Sequence, residues 1–318
     1  MQSPVQVFFR IEILMAKDTD KLDICLHLGA HKTATTYLQK RLDKNRDGLS
    51  EAGVQLFLPK DIRGKIGLKL PSPRQSDARN LQRCADTGQR LRRMIRNGVE
   101  DKPRAKRVIV SEENLIGSCK NNLILKGLYP DIAMRLSLLS ELFNHSSVSV
   151  YFAVRAYSKF FSSNYTSALR NGTLLEKDEV AASLWPLSRS WVDVVTELKA
   201  ALPRAKLMIW RYEDFGQTEP NILASLAAGT DLVSLDNRPL PTLSMDAVSW
   251  LERKIQHGSF QLAPGKVSRR AMARHPATAT NPAFTLWSSE MTSELDERYE
   301  ADWKEITSKW PSAIQLPN

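Results

Sequence analysis

Residues His27–Gln39, HLGAHKTATTYLQ, carry a glycine, a lysine and two adjacent hydroxyl side chains at nearly the spacing of a phosphate-binding loop. In the nucleotide loop G-x-x-x-x-G-K-[ST], the lysine directly precedes the hydroxyl residue and reaches the β/γ-phosphates. Here Gly29 fits the first glycine, Ala34 stands at the second, Thr35 takes the lysine position and Thr36 the hydroxyl position. Lys32 lies upstream of its usual place. A strand, a glycine turn and a helix opening on Thr35-Thr36 would aim backbone N–H groups and the positive helix end at one spot, which is chemistry for an anion. A triphosphate site also wants an acidic residue ending a strand to hold Mg²⁺. No aspartate directly ends an apolar run, and Asp214 in WRYEDF comes several residues late.

Two more stretches carry chemistry. SEEN, residues 111–114, follows the apolar run RVIV and offers Glu112 and Glu113 as proton acceptors. Adjacent strand residues point to opposite faces, so one of the two is expected to reach a site. Arg155 follows the run SVSVYFAV, and His31 beside Lys32 is a rival base or substrate contact. Each has a plainer reading: a threonine-capped strand–helix connection for the loop, helix-start carboxylates for the glutamates, an ion-pair arginine for Arg155.

These residues need a frame. Apolar runs at 22–28, 54–58, 107–111, 147–154 and 205–210 read as strands. Helical patterns at Thr36–Leu49, Asp77–Asn97, Asp131–Phe143, Ser158–Arg170 and Ser188–Leu202 lie between or beside them. Continuous apolar strands alternating with helices predict an α/β fold: a doubly wound, mostly parallel five-stranded sheet with helices on both faces. Ligands of such sheets bind outside the carboxyl ends of the strands, where all three loaded stretches fall.

In order and spacing, these pieces resemble the P-loop sulfotransferases that use 3′-phosphoadenosine-5′-phosphosulfate (PAPS). Lys32-Thr33-Ala34-Thr35-Thr36 is similar to the family's K-x-G-T-T loop, with alanine replacing the glycine. VRAYSKFFSSNY places Ser163 eight residues after Arg155, like the family's 3′-phosphate motif, and SEENL and WRYEDF are similar to bacterial members. The resemblance covers about residues 22–216. It implies that Gly29, Ala30, His31, Lys32, Thr33, Ala34, Thr35 and Thr36 hold the 5′-phosphosulfate and that Arg155 and Ser163 hold the 3′-phosphate. It further implies that Lys32 acts on the leaving phosphate, that Glu112, then Glu113 or His31, is the base, and that no metal is required. GKVSRR, residues 265–270, would close over the 3′-phosphate, although its wording departs from the family's glycine-rich segment.

The expected activity is transfer of a sulfuryl group to a hydroxyl or amine, with a carbohydrate acceptor. Two alternatives of other classes are a non-catalytic nucleotide- or polyanion-binding protein of the same fold and a kinase using ATP and Mg²⁺; Thr35 at the lysine position speaks against the kinase.

The net charge of +10 resides in one segment: from Lys60 to Arg107 there are 15 Lys/Arg against 5 Asp/Glu. That excess suits an anionic acceptor or a solvated helix face. The segment lacks interleaved aromatics, so nucleic acid is not expected. No run reaches the roughly 20 apolar residues of a spanning helix. Residues 1–21 read as a loose tail without a secretory pattern, with Met15 a possible start, and the chain as a cytoplasmic protein. Residues 22–318 read as one domain, with about 237–318 as a proline-interrupted cover ending in a helix near Glu290–Ser308. Cys25, Cys84 and Cys119 form no disulfide or metal spacing and are expected as reduced, mostly buried thiols.

Overall fold

The computed structural model describes residues 22–73, 75–100, 105–143, 147–235, 242–258 and 264–313. The tail 1–21 lies outside the described residues, as do parts of the cover segment.

Strands β1 (Asp23–His27), β2 (Val54–Phe57), β3 (Arg107–Ser111), β4 (Ser147–Val154) and β5 (Lys206–Arg211) form one sheet in the order β2-β3-β1-β4-β5. Every pairing is parallel. The expected α/β fold is therefore the observed one. Alternate strand residues enter two apolar layers. Ile24, Leu26, Val108 and Val110 face one layer, while Cys25, Ile109, Tyr151 and Ala153 face the other. The smaller layer is covered by α1 (Thr35–Lys44), α2 (Arg46–Glu51) and later α9 (Phe215–Leu226). The larger is covered by α3 (Ala78–Glu100), α4 (Cys119–Ile124), α5 (Ile132–Phe143), α6 (Tyr157–Arg170), α7 (Lys177–Leu184) and α8 (Trp191–Ala201). On that side α10 (Met245–Gln256), α11 (Pro264–Arg274) and α12 (Ser289–Lys309) pack on α6, and α12 also touches α8.

Register sets the reach of each strand end. His27 pairs with Ser111 on one side and Tyr151 on the other, so β1 and β3 stop level while β4 runs on to Val154. Three further residues at 3.3 Å carry β4 about 10 Å beyond its neighbour. Arg155 thus overhangs the turn after β1.

Two expectations are corrected. The helix expected over Thr36–Leu49 is broken at Asn45, whose side-chain amide donates to Arg41 O at 2.8 Å and Val233 O at 3.1 Å and accepts from Val233 N at 2.8 Å. This carboxamide satisfies the carbonyl of the ending helix and a distant strap, so the chain restarts as α2. The cover segment contains α10 and α11 as well as the expected last helix. Serine caps open α10 and α12, with Ser244 and Ser288 accepting from Ala247 N and Met291 N.

Trp191, with no exposed surface, stacks on Tyr157 at 6.0 Å and meets Phe152, Phe160 and Tyr129 edge-on or tilted. Its indole N–H donates to Arg155 O at 2.8 Å. Among the described residues no helix is long and apolar enough to cross a membrane.

Trp191→Ala is expected to destabilise the protein by about 3–5 kcal/mol in urea unfolding, since it opens a cavity under the sheet and orphans a buried carbonyl. Trp191→Phe, which keeps most of the volume, is expected to cost less than half of that.

Candidate functional site

The turn after β1 is bent by left-handed residues: Gly29 at φ +44°, Lys32 at +67° and Ala34 at +61°. At Gly29 a Cβ would lie 2.7 Å from Thr35 Oγ1, so contact as well as conformation requires glycine. Lys32 and Ala34 have no such freedom and hold their positive φ at about 1 kcal/mol each. Two hydroxyls brace the turn: Thr33 Oγ1 donates to Ala30 O at 2.6 Å and Thr35 Oγ1 to the same oxygen at 3.3 Å. Thr36 is exposed. Helix α1 then starts after Ala34, with no side-chain cap and no acid in its first turn. Its first N–H groups have no intrahelical acceptor, and no side chain of the first turn offsets the positive helix end.

Cations gather at this point. Arg155 Nη1 donates to Lys32 O at 2.5 Å, and its guanidinium lies over the Tyr212 ring, 4.6 Å from the centroid. Arg155 Nε is buried and takes no protein acceptor. Neither Lys32 nor Arg155 has a carboxylate in ion-pair contact among the described residues. Burial pushes the Lys32 ammonium pKa down; Cys119 and Glu113 oppose this, and Arg170 and Arg155 add to it. Burial likewise lowers Arg155.

Arg170 escaped the sequence reading. It ends α6, and one Nη donates to Met272 Sδ at 3.3 Å. The available signal was its spacing: Ser163, Ser167 and Arg170 stand at i, i+4 and i+7 on one helix face. Ser163 is half-buried on that face, and its hydroxyl bonds to nothing among the described residues, Arg155 included.

Beyond β5, the turn Tyr212–Asp214 braces Arg155 from behind. Glu213 accepts from Ala156 N at 3.0 Å and from Tyr299 OH at 2.6 Å, which ties α6 to α12. These bonds fix the loop after β5.

The two glutamates after β3 differ in role. Glu112 is 1% exposed, and Arg63 grips both its oxygens, Nε to Oε2 at 2.6 Å and Nη2 to Oε1 at 2.5 Å. Its Oε1 also accepts from Asn114 N at 2.9 Å. Glu113 lies on the loop side: Oε2 accepts from Gln39 at 3.0 Å, Oε1 from Arg63 at 3.2 Å. Burial raises the Glu112 carboxyl pKa, with Arg63 opposing. Glu113 is lowered on balance, burial being outweighed by His31, backbone, Arg63 and Gln39. Arg63 rides on a π-helical segment, Lys60–Ile66, which has no periodic apolar signature to reveal it.

His31 is 7% exposed and fully engaged. Its backbone N–H donates to Tyr129 OH at 2.8 Å, its Nδ1 meets the same hydroxyl at 2.9 Å, and its Nε2 meets Asn114 Oδ1 at 3.0 Å. Nε2–H therefore donates to Asn114, and Nδ1 accepts from Tyr129. Burial, the largest influence, lowers its pKa and favours this neutral ring. With both nitrogens committed, His31 positions the loop and has no lone pair free to serve as a base. Behind it, His27 Nδ1 meets Ser111 Oγ at 2.7 Å, and Gln39 donates to Ser111 at 3.2 Å. The loop, α1 and the β3 end form one hydrogen-bonded unit. Of the cysteines, all free, Cys25 and Cys84 are buried, and burial pushes the Cys119 thiol near Lys32 up to about 11.

Arg63→Ala is expected to destabilise by about 2 kcal/mol at pH 7, less than the full cost of breaking a buried pair because Arg63 is half exposed. The penalty should shrink towards pH 4. Without Arg63 the folded Glu112 carboxyl shifts further above its unfolded value, so stability present below the unfolded pKa is lost as pH rises through the folded one. Urea midpoints at both pH values check this; an equal loss at each would contradict it.

No model of a known protein family matches the chain, and no curated protein matches it. Among solved structures it is similar to a sulfotransferase from Alicyclobacillus acidocaldarius, at 10% identity and a TM-score of 0.36, over 79% of this chain and 94% of that one.

Proposed function

We propose that this chain is a sulfotransferase that moves a sulfuryl group from PAPS to a hydroxyl or amine of a carbohydrate acceptor. The observation that carries the reading is the convergence of Lys32 and Arg155, neither ion-paired, on an uncapped helix start. A lysine and an arginine without carboxylate partners beside an open helix start suit an anionic ligand, and two cationic groups suit one charged at both ends. The lysine displaced from its triphosphate position supports the same choice of ligand.

The residues divide as follows. The turn amides and Lys32 would hold the 5′ end, and Arg155 with Ser163 the 3′-phosphate; PAPS, when bound, supplies the activated sulfuryl group. Lys32 offsets the negative charge on the leaving side, which is a matter of alignment and electrostatics more than covalent chemistry. Glu113 is the better placed base: it lies on the loop side, is ionised at neutral pH and is partly accessible, whereas Glu112 is locked by Arg63. A second reading, a binding protein of this fold, draws on one observation, that Arg63 reaches both carboxylates.

Lys32→Ala is expected to lower turnover by about 10²–10³-fold while the protein stays folded. Glu113→Gln should lose turnover with unchanged affinity for the product nucleotide PAP. Glu112→Gln should show its main effect on the melting temperature. Equal sulfate transfer by wild type, Lys32→Ala and Glu113→Gln would overturn the assignment.

Arg155→Ala is expected to weaken PAP about 10–100-fold in calorimetric titration, the worth of a charge-assisted contact, and to leave adenosine 5′-phosphate nearly unaffected. Equal losses for both nucleotides would remove the 3′-phosphate from Arg155.

A further inference from the structure

The excess charge of residues 60–107 has a definite shape in the fold. Helix α3 buries Cys84, Leu91 and Ile95 against the larger layer, and Gly88 lets it approach α5 so closely that a Cβ would sit 3.2 Å from Leu138. On the opposite side Arg79, Arg83, Arg90 and Arg93 are all exposed. Their spacings of four, seven and three residues keep them within one solvent-facing stripe about 21 Å long. Asp86, the one acid within the stripe, is occupied by the Gln82 amide at 2.8 Å. Arg79, Arg83 and Arg93 have no carboxylate partner among the described residues. Arg90 donates to Ile66 O at 3.0 Å, so the middle of the stripe is joined to the π-helical segment that carries Arg63 to Glu112 and Glu113.

We infer that this stripe is the docking surface for a linear acidic polysaccharide, which lies along α3 and reaches the carboxylate pair past the half-exposed Arg63. The inference rests on the transferase reading for its purpose, since a polymer bound here is delivered to the site as acceptor. Its chemistry rests on the stripe itself. Planar guanidinium forks in a row match carboxylates repeated along a chain. Nucleic acid fits less well, because residues 60–100 contain no Phe, Tyr or Trp on which bases could stack. A membrane surface fits less well, because the stripe has no exposed large apolar residue to insert; among the described residues Val233 alone is of that kind, and it lies on the strap beside Asn45.

The test is calorimetric titration with polyguluronate oligomers of defined length, with neutral dextran and a single-stranded oligonucleotide of equal charge as controls. The full-length protein and its variants R79E/R83E/R93E and R79Q/R83Q/R93Q are compared. These side chains are exposed, and melting temperatures are expected to match wild type. Wild type should bind an oligomer that spans the stripe and bind the dimer far more weakly. Charge reversal should weaken the long oligomer at least tenfold and flatten its salt dependence, the glutamine variant should fall between, and PAP affinity should not change. Unchanged polyguluronate affinity in the charge-reversed protein overturns the proposal, as does equal binding of the oligonucleotide or of dextran. Stripe-dependent polyguluronate binding in a protein that neither binds PAP nor transfers sulfate would instead overturn the transferase reading and leave the surface standing.

Discussion

The positive charge of Lys32 and Arg155, held together without a neutralising carboxylate, is the constraint around which this molecule is arranged. Two cations at close range repel, and partial removal from water strengthens the repulsion. Burial lowers the pKa of both groups, and at Lys32 the nearby Arg155 charge adds to it. The surrounding chain supplies weak compensation from neutral groups: the Lys32 carbonyl and the Tyr212 ring face. Glu213 stays one bond removed, spent on Ala156 N and Tyr299 OH, so the field at the helix start remains positive. Arg155 itself is held in place by Trp191, whose indole reads its carbonyl from within the core. Packing energy beneath the sheet thereby maintains an electrostatically unfavourable surface above it.

The other end of the site follows the opposite rule. Glu112 is buried deeply enough to require a partner, and Arg63 supplies a bidentate one from a segment that is itself irregular. Through Gln39, Ser111 and His27 the same cluster is tied to α1 and to the end of β1. A displacement of the anion loop is consequently felt at the carboxylates, across the two central strands. The π-helical segment joins this rigid unit to α3, where the charge is fully solvated.

How much of this was legible in the sequence depended on the distance over which the information was stored. Each strand was visible because a parallel strand covered on both faces needs an uninterrupted apolar run, and VIV or VYFAV cannot read as anything solvated. The turn between β1 and α1 was visible because its residues are neighbours. The break at Asn45 was not, since it depends on Val233. The engagement of Glu112 depends on Arg63, 49 residues earlier, and that of His31 on Tyr129, 98 residues later. Adjacent glutamates that look equivalent in a string are separated only by such partners. Helices α10 and α11 were hidden by the prolines around them, although the serine cap of α10 and the amphipathic pattern of both are ordinary.

Strand β1 sits in the middle of the sheet, yet both its neighbours come late: His27 pairs with Ser111 and with Tyr151. Vectorial synthesis therefore releases the anion loop long before anything can hold it. At typical elongation rates of 5–20 residues per second, the 84 residues from His27 to Ser111 take about 4–17 s. During that interval ICL, residues 24–26, is an unpaired apolar edge, open to other chains. Nascent chains stalled between β1 and β3 should be strong clients for holding chaperones, and those stalled after β4 weak ones. The centre of the molecule is made first and is secured only once β4 has emerged.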